Sequence, residues 1–272
     1  PVTLQILDAG GNVVRRFSST DPAQAPKAER YFAKTWTRKP QALAAMPGMH
    51  RFVWDLRYAR PDSAEYSYSI AAVWGHGTPI MPEGPFVLPG TYTVVLEASG
   101  QRRVATLSVA EDPRVTVSTA DLAASLAMSQ KVGAALSEVS DLYREQAALH
   151  KLLDARFPKA RSNADPAIRA LVDQLRAKPA PGNATFEGLA GSLAGVERAL
   201  ESVDAAPTDV QQQFFAETVS KLETAKREWT ATKAGALAEL NAALAAVGEK
   251  PIEITDADKR KIGEPDPGQD LP

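Results

Sequence analysis

The chain has 272 residues, of which 44% are hydrophobic and 24% charged, enough for one large domain or two modest ones, each with its own core. A total of 31 Lys plus Arg against 33 Asp plus Glu leaves a net charge of −2, too close to neutrality for a protein that tracks nucleic-acid phosphates or an acidic membrane surface. With no cysteine, disulfides, thiolate metal sites and cysteine nucleophiles are excluded, which suits either the cytosol or a periplasm.

No apolar run approaches the roughly 20 residues that a membrane span needs. The sequence opens on Pro1 rather than Met and reads as a processed or excised piece. Its composition changes near Asp112-Pro113-Arg114, from a part rich in turns and aromatics to one rich in Ala, Leu, Glu, Gln and Lys. Residues 1–113 hold 12 Lys or Arg and 10 Asp or Glu, so neither part is strongly polarised. A domain boundary is expected at this change.

In the first part, Val2, Leu4 and Ile6 alternate with Thr3 and Gln5. Asp8-Ala9-Gly10-Gly11-Asn12 then supplies turn chemistry before Val13 to Phe17 resumes an extended pattern, which predicts a hairpin. From His50 to Tyr58 the alternation places Phe52, Trp54 and Leu56 on one face, and a strand with that face buried is expected. A second hairpin is expected over 90–110, turning at Ser99-Gly100. Several short strands with intervening turns favour an Ig-like β-sandwich over 1–113. Residues 59–89, dense in Tyr, Trp, Gly and Pro, read as a long ordered excursion from it.

The second part, 114–247, reads as helices. Ser118 to Asp121 is arranged as a capping box, and a leucine and valine stripe from Leu122 to Leu153 predicts a helix over about 119–156, stopped by Pro158. Asp165-Pro166 opens a short helix to about 178. Phe186, Leu189, Leu193, Val196, Leu200 and Val203 are spaced three, four, three, four, three, the mark of a seam, which predicts a helix over 185–203. A last helix is expected over 209–247, closed by Gly248. Two long helices joined by two shorter ones of similar combined length fit an antiparallel three-legged bundle with a broken middle leg. Close helix packing is the expected reason for Gly133, Gly188, Gly191, Gly195 and Gly235. The fold class is thus α+β as two separate domains, and 248–272, with four prolines among mostly charged residues, is expected to be extended or disordered.

The chemistry-bearing residues form no catalytic pattern. His50 and His150 read as local or packing groups. His76, between glycines in Trp74-Gly75-His76-Gly77-Thr78, either packs its loop or lines a ligand pocket. Asp55, Glu65 and Glu83 read as solvated or salt-bridged surface groups, and no carboxylate pair is nominated for glycoside hydrolysis. Serine-elbow, phosphate-loop and dinucleotide motifs do not occur. Tyr66, Tyr68, Trp74, His76 and Phe86 mark the candidate ligand or partner surface, since aromatic faces bind sugar faces; the other reading is that they pack the excursion onto its own domain. No catalytic, cofactor-binding or metal-ligating residue is assigned.

Gly48-Met49-His50-Arg51-Phe52-Val53-Trp54-Asp55-Leu56-Arg57-Tyr58, with Gly84 to Val94, Asp112-Pro113-Arg114, Ala205-Ala206-Pro207-Thr208 and Leu240-Asn241, resembles the C-terminal region of bacterial sortilin-like (VPS10-type) proteins with BNR or Asp-box repeats, often labelled glycosyl hydrolases. The resemblance runs to about residue 252. It implies a FlgD-like Ig domain and a helical region that follow a β-propeller in an exported, periplasmic or secreted protein. No Asp-box motif occurs in the chain, so no catalytic residue carries over. The function expected is that of a noncatalytic accessory and interaction module, partnered by the propeller of the same parent or by another protein. Two alternatives stand beside it: part of a glycoside-hydrolase-like enzyme whose active site lies in the propeller, and a carbohydrate-binding module that holds a glycan on the loop aromatics.

Overall fold

A computed structural model describes residues 1–21, 42–64, 67–68, 80–158, 165–177 and 184–262. The fold is mixed: a four-stranded antiparallel sheet in the N-terminal part and helices in the C-terminal part. The strands are β1 (Val2–Leu7), β2 (Val13–Ser18), β3 (Ser67–Tyr68), β4 (Ile80–Met81), β5 (Gly90–Ala98) and β6 (Gln101–Val109). The sheet runs in the order β2-β1-β5-β6, while β3 and β4 form a separate two-residue ladder.

Both hairpins turn where the local chemistry allows. The Asp8 carboxylate accepts from the Asn12 backbone N–H at 2.8 Å, and Gly11 takes a positive φ of 81°. Ser99 and Gly100 have φ values of 49° and 73°, the left-handed pair that a two-residue type I′ turn requires. The β1–β5 and β5–β6 registers bring the alternating apolar residues to one face, where Ile6, Val14, Val87 and Tyr92 form the core with Phe17, Trp54, Tyr58, Leu107 and Val109 against it.

The segment His50 to Tyr58 departs from the expected strand. Phe52 and Trp54 do pack inward, against Phe17 and Tyr92 at ring separations of 4.6 and 5.7 Å. Leu56, however, has a φ of 59° and is 38% exposed, so the alternation breaks there, and among the described residues the segment makes a single bridge, from Arg57 to Phe86. The Trp54 indole N–H donates to the Arg57 carbonyl at 3.0 Å and closes this turn, a local side-chain bond that the alternation of residues does not encode.

The helices are α1 (Thr119–Arg156), α2 (Pro166–Arg176), α3 (Phe186–Glu201), α4 (Asp209–Thr232), α5 (Ala238–Ala246) and α6 (Asp256–Arg260). Their starts carry side-chain caps: the backbone N–H of Asp121 donates to Ser118 Oγ, that of Ala167 to Asp165 Oδ1 and that of Gly188 to Thr185 Oγ1. The single last helix expected over 209–247 is interrupted by one π turn, Lys233–Leu237.

The chain divides into two compact units whose limits do not follow the change of composition at Asp112. One comprises residues 1–61, 66–134 and 196–209, and so includes the sheet, the first turns of α1 and the end of α3. The other comprises residues 62–65, 135–195 and 210–272. Within the second unit, Glu138 pairs with Lys226, Glu145 with Lys233 and Arg156 with Glu249. The partners' numbers rise together, so α1 and the α4–α5 rod run in the same direction. Helix α2 lies against α5 and the π turn, and its Leu175 and Arg176 reach α1 through His150 Nε2 and the Leu153 carbonyl.

Two expectations are corrected within the second part. Residues 249–262 are docked rather than extended: Asn241 Oδ1 accepts from the Ile252 N–H at 2.7 Å, its amide donates to the Ile252 carbonyl, and Ile252 is 6% exposed. A complete capping box of Thr255 and Asp258 then starts α6. An average over a charged, proline-rich stretch hides one apolar anchor and one cap. The last ten residues lie outside the described ones. Nor does close packing explain all the helix glycines, because a Cβ built on Gly191, Gly195 or Gly235 meets nothing within 4 Å.

Replacing Gly191 or Gly195 by Ala is therefore expected to raise the unfolding free energy by about 1 kcal/mol each. Denaturant midpoints of the single variants would measure it; a loss of stability would show that these positions need the glycine backbone.

Candidate functional site

The strongest convergence of charged groups in the described structure lies in the unit that holds the sheet, around Arg57. Its side chain is 11% exposed. Nη1 donates to Glu201 Oε1 at 2.6 Å and to the Gly84 carbonyl at 2.6 Å, while Nη2 lies 3.3 Å from Glu83 Oε2. The guanidinium plane sits over the Phe86 ring, 3.6 Å from its centroid. A planar, always charged fork can serve two carboxylates, a carbonyl and an aromatic face at once, which a lysine ammonium could not.

Local backbone geometry puts Arg57 there. The Tyr58 N–H donates to the Pro85 carbonyl and the Val87 N–H to the Leu56 carbonyl, both at 2.9 Å, clamping the turn at Leu56 onto the segment around Gly84. A Cβ on Gly84 would stand 2.2 Å from the Tyr58 carbonyl oxygen, so two backbones approach where only glycine fits. Arg15 on β2 donates to that same Tyr58 carbonyl from the sheet side.

Glu197 lies one turn before Glu201 on α3 and is 0% exposed, with neither carboxyl oxygen hydrogen-bonded. Burial, followed by the neighbouring Glu201 charge, pushes its pKa up to about 8 against the opposing pull of Arg57. At neutral pH it is a protonated acid. Burial also raises the Glu201 pKa, opposed by the charge and hydrogen bond of Arg57. Chemically this is an ion cluster with a neutral carboxylic acid beside it. A perturbed acid is a candidate catalytic group in general, but Glu197 presents no surface to a substrate.

A second feature lies in the helical unit: a cavity of about 140 Å³ lined by Gln146, Gln174, Phe186, Glu228, Trp229 and Thr232 among others. The Trp229 indole N–H donates to Glu145 Oε2 at 2.7 Å, and Lys233 bonds both oxygens of that carboxylate. The cavity volume is well below the roughly 300 Å³ at which small-molecule sites begin.

Of the residues that the sequence nominates, Tyr66, Trp74 and His76 lie outside the described residues. Tyr68 is described only as backbone, in the β3–β4 ladder. Phe86 is 51% exposed on one side and covered on the other by Arg57. Glu83, expected at the surface, is instead buried in the Arg57 cluster, because the turn at Leu56 and the Gly84 contact fold its segment inward. His50 Nε2 bonds the Met46 carbonyl and His150 Nε2 that of Leu175. Among the described residues, no group of three or more His, Asp or Glu is placed to hold a metal ion, and no helix is long and apolar enough to cross a membrane.

Arg57, Glu197 and Glu201 escape the sequence reading. A signal was nonetheless present: Glu197 stands four residues after Leu193 and three before Leu200, beside Val196, so it places a carboxyl group on the flank of the apolar seam of α3.

The raised Glu197 pKa has a direction in pH. Its stabilising contribution is complete below the ordinary value of 4.5 and is lost as pH rises toward about 8, where the folded state must ionise a buried acid. Glu197→Gln is therefore expected to match the parent near pH 4 and to exceed it increasingly from pH 5 to 8, by on the order of a few kcal/mol at the upper end. Melting curves across that range would check it, and parallel curves would refute the burial. Gly84→Ala is expected to cost at least about 2 kcal/mol at every pH, read from denaturant midpoints, since a backbone has to move.

Searches against family models, curated proteins and solved structures find no match to this chain.

Proposed function

We propose that the chain is a noncatalytic C-terminal accessory and interaction module of an exported, sortilin-like β-propeller protein. In finer detail we read it as an Ig-like sandwich followed by a three-legged helical bundle. Support for the Ig-like reading comes from the antiparallel sheet and from Tyr92, near the start of β5, whose hydroxyl donates at 2.6 Å to the Leu88 carbonyl four residues upstream, as in the tyrosine corner of such domains. The bundle reading rests on the parallel course of α1 and the α4–α5 rod, with α2 beside them.

The observation that carries the functional reading is the closure of the Arg57 cluster. Its guanidinium is saturated by two carboxylates, a carbonyl and a ring, and its perturbed acid has no exposed surface. Such a group holds segments together; a catalytic acid has to reach the bond it protonates. Partners would engage the outer surface.

The isolated chain is expected to release no product from chromogenic α- or β-glycosides above the buffer rate. Turnover that disappears in Glu197→Gln or Glu201→Gln would overturn the accessory reading. Retention on a glycan affinity gel, lost on Trp74→Ala or Tyr68→Ala, would move the assignment to a carbohydrate-binding module. The coding sequence ahead of Pro1 is expected to hold an export signal and Asp-box repeats, and an intracellular start there would remove the propeller context.

A further inference from the structure

The outer edge of β6 is the longest uncommitted hydrogen-bonding surface in the described structure. β6 is nine residues long, pairs with β5 on one side and is the last strand of its sheet among the described residues. Gln101 to Thr106 and Ser108 are exposed, Val104 at 54%. Edges left open in this way are commonly blunted by charge, proline or a bulge. Here Arg102 and Arg103 sit at the hairpin end, while the six residues Val104 to Val109 contain no charge, proline or glycine. The β5–β6 register shifts nowhere along its length.

We propose that this edge is an interface with a second copy of the chain, β6 pairing antiparallel with β6 about a two-fold axis at Leu107. A two-fold perpendicular to a sheet keeps each side chain on its own face, so opposed residues must have the same parity. The register about Leu107 meets that condition and also satisfies the charges. On one face Leu107 meets its counterpart and Ala105 opposes Val109, while Arg103 comes level with Glu111 of the second copy where the chain carries on past the end of β6 at Val109. On the other, Thr106 opposes Ser108, Val104 opposes Ala110, and Arg102 opposes Asp112 of the second copy. No like charges face each other, and the symmetry makes every pair occur twice.

Shifting the axis by one residue to Thr106 keeps the parity but sets Arg103 against Val109 and Arg102 against Ala110, so neither arginine meets a carboxylate of the second copy, and Arg102 keeps only Glu97 of its own chain, at 3.8 Å. The free chain points the same way. Glu111 is half-buried and makes no ion pair among the described residues; its Oε1 is buried without a partner, so a second copy meets it at Oε2, and Arg103 is exposed with Gln101 as its side-chain partner, at 3.2 Å. Asp112 already holds Arg114, so the Arg103–Glu111 pair is the one that should decide the register.

A contact one strand wide makes a weak dimer, with half-association expected on the order of 100 µM. Sedimentation equilibrium of the 272-residue chain is expected to show a mass rising from 29.1 kDa toward twice that value as concentration rises. Arg103→Glu should weaken association roughly tenfold or more by facing two carboxylates, and the charge swap Arg103→Glu with Glu111→Arg should restore it, circular dichroism reporting the fold of each. Amide exchange of Val104 to Val109 in the unmodified chain should slow with concentration, a readout independent of any variant. A chain that stays at 29.1 kDa up to about 1 mM, with concentration-independent exchange in β6, overturns the proposal and leaves the edge to a strand of a different protein. A dimer indifferent to Arg103→Glu, or not restored by the swap, overturns the register. None of these results bears on glycoside turnover, so the accessory reading stands or falls separately.

Discussion

A single guanidinium organises the unit that contains the sheet. Arg57 comes from an irregular turn, Glu83, Gly84 and Phe86 from the stretch leading into β5, and Glu201 from the end of α3, and the arginine binds all of them. Among the described residues neither the turn nor the stretch has a ladder beyond one bridge, so their placement depends on this charge, on the two backbone hydrogen bonds at Tyr58 and Val87 and on the backbone contact at Gly84. Removing one member of a buried ion cluster costs far more than the cluster contributes, because the remaining charges are left uncompensated. The cluster therefore acts as a unit and enforces one arrangement.

Glu197 shows how such an arrangement is tolerated. Three carboxyl groups near one arginine would repel one another if all were ionised. The structure lowers that repulsion by keeping one of them protonated, and the low-dielectric surroundings that raise its pKa also strengthen the Arg57 pairs beside it. With Glu197 fully buried, this lowered repulsion is part of how the cluster packs.

Much of the architecture is legible in the residues. The Asp8 to Asn12 and Ser99-Gly100 turns, the alternating strands between them, and the helix starts at Ser118, Asp165 and Thr185 follow from local chemistry, because the bonds that make them lie within four residues of one another. What was not legible depends on side-chain bonds that the pattern of apolar residues does not encode, some of them to partners distant in sequence. Arg57 looks like one more outward residue of an alternating strand until Trp54 bends the chain and Glu201, 144 positions away, meets it. Ile252 looks like a lone apolar residue in a charged tail until Asn241 brackets its backbone. The aromatic excursion, richest in candidate ligand-binding side chains, has in Phe86 a member whose ring is given to the guanidinium.

The π turn from Lys233 to Leu237 sets the phase of everything after it. A helix advances 100° per residue, and a π turn absorbs one more residue than an α turn over the same rise. That extra residue lets the buried side followed by Leu222 and Trp229 continue through Leu237, Leu240 and Leu244. It also aims Asn241 at Ile252. The turn works as a vernier between two halves of one rod. Loss of a single codon within it would turn the π turn into an ordinary α turn and leave the far half facing α2, whereas a further gain would rotate that half by about 100°, so this stretch is expected to tolerate a deletion better than an insertion.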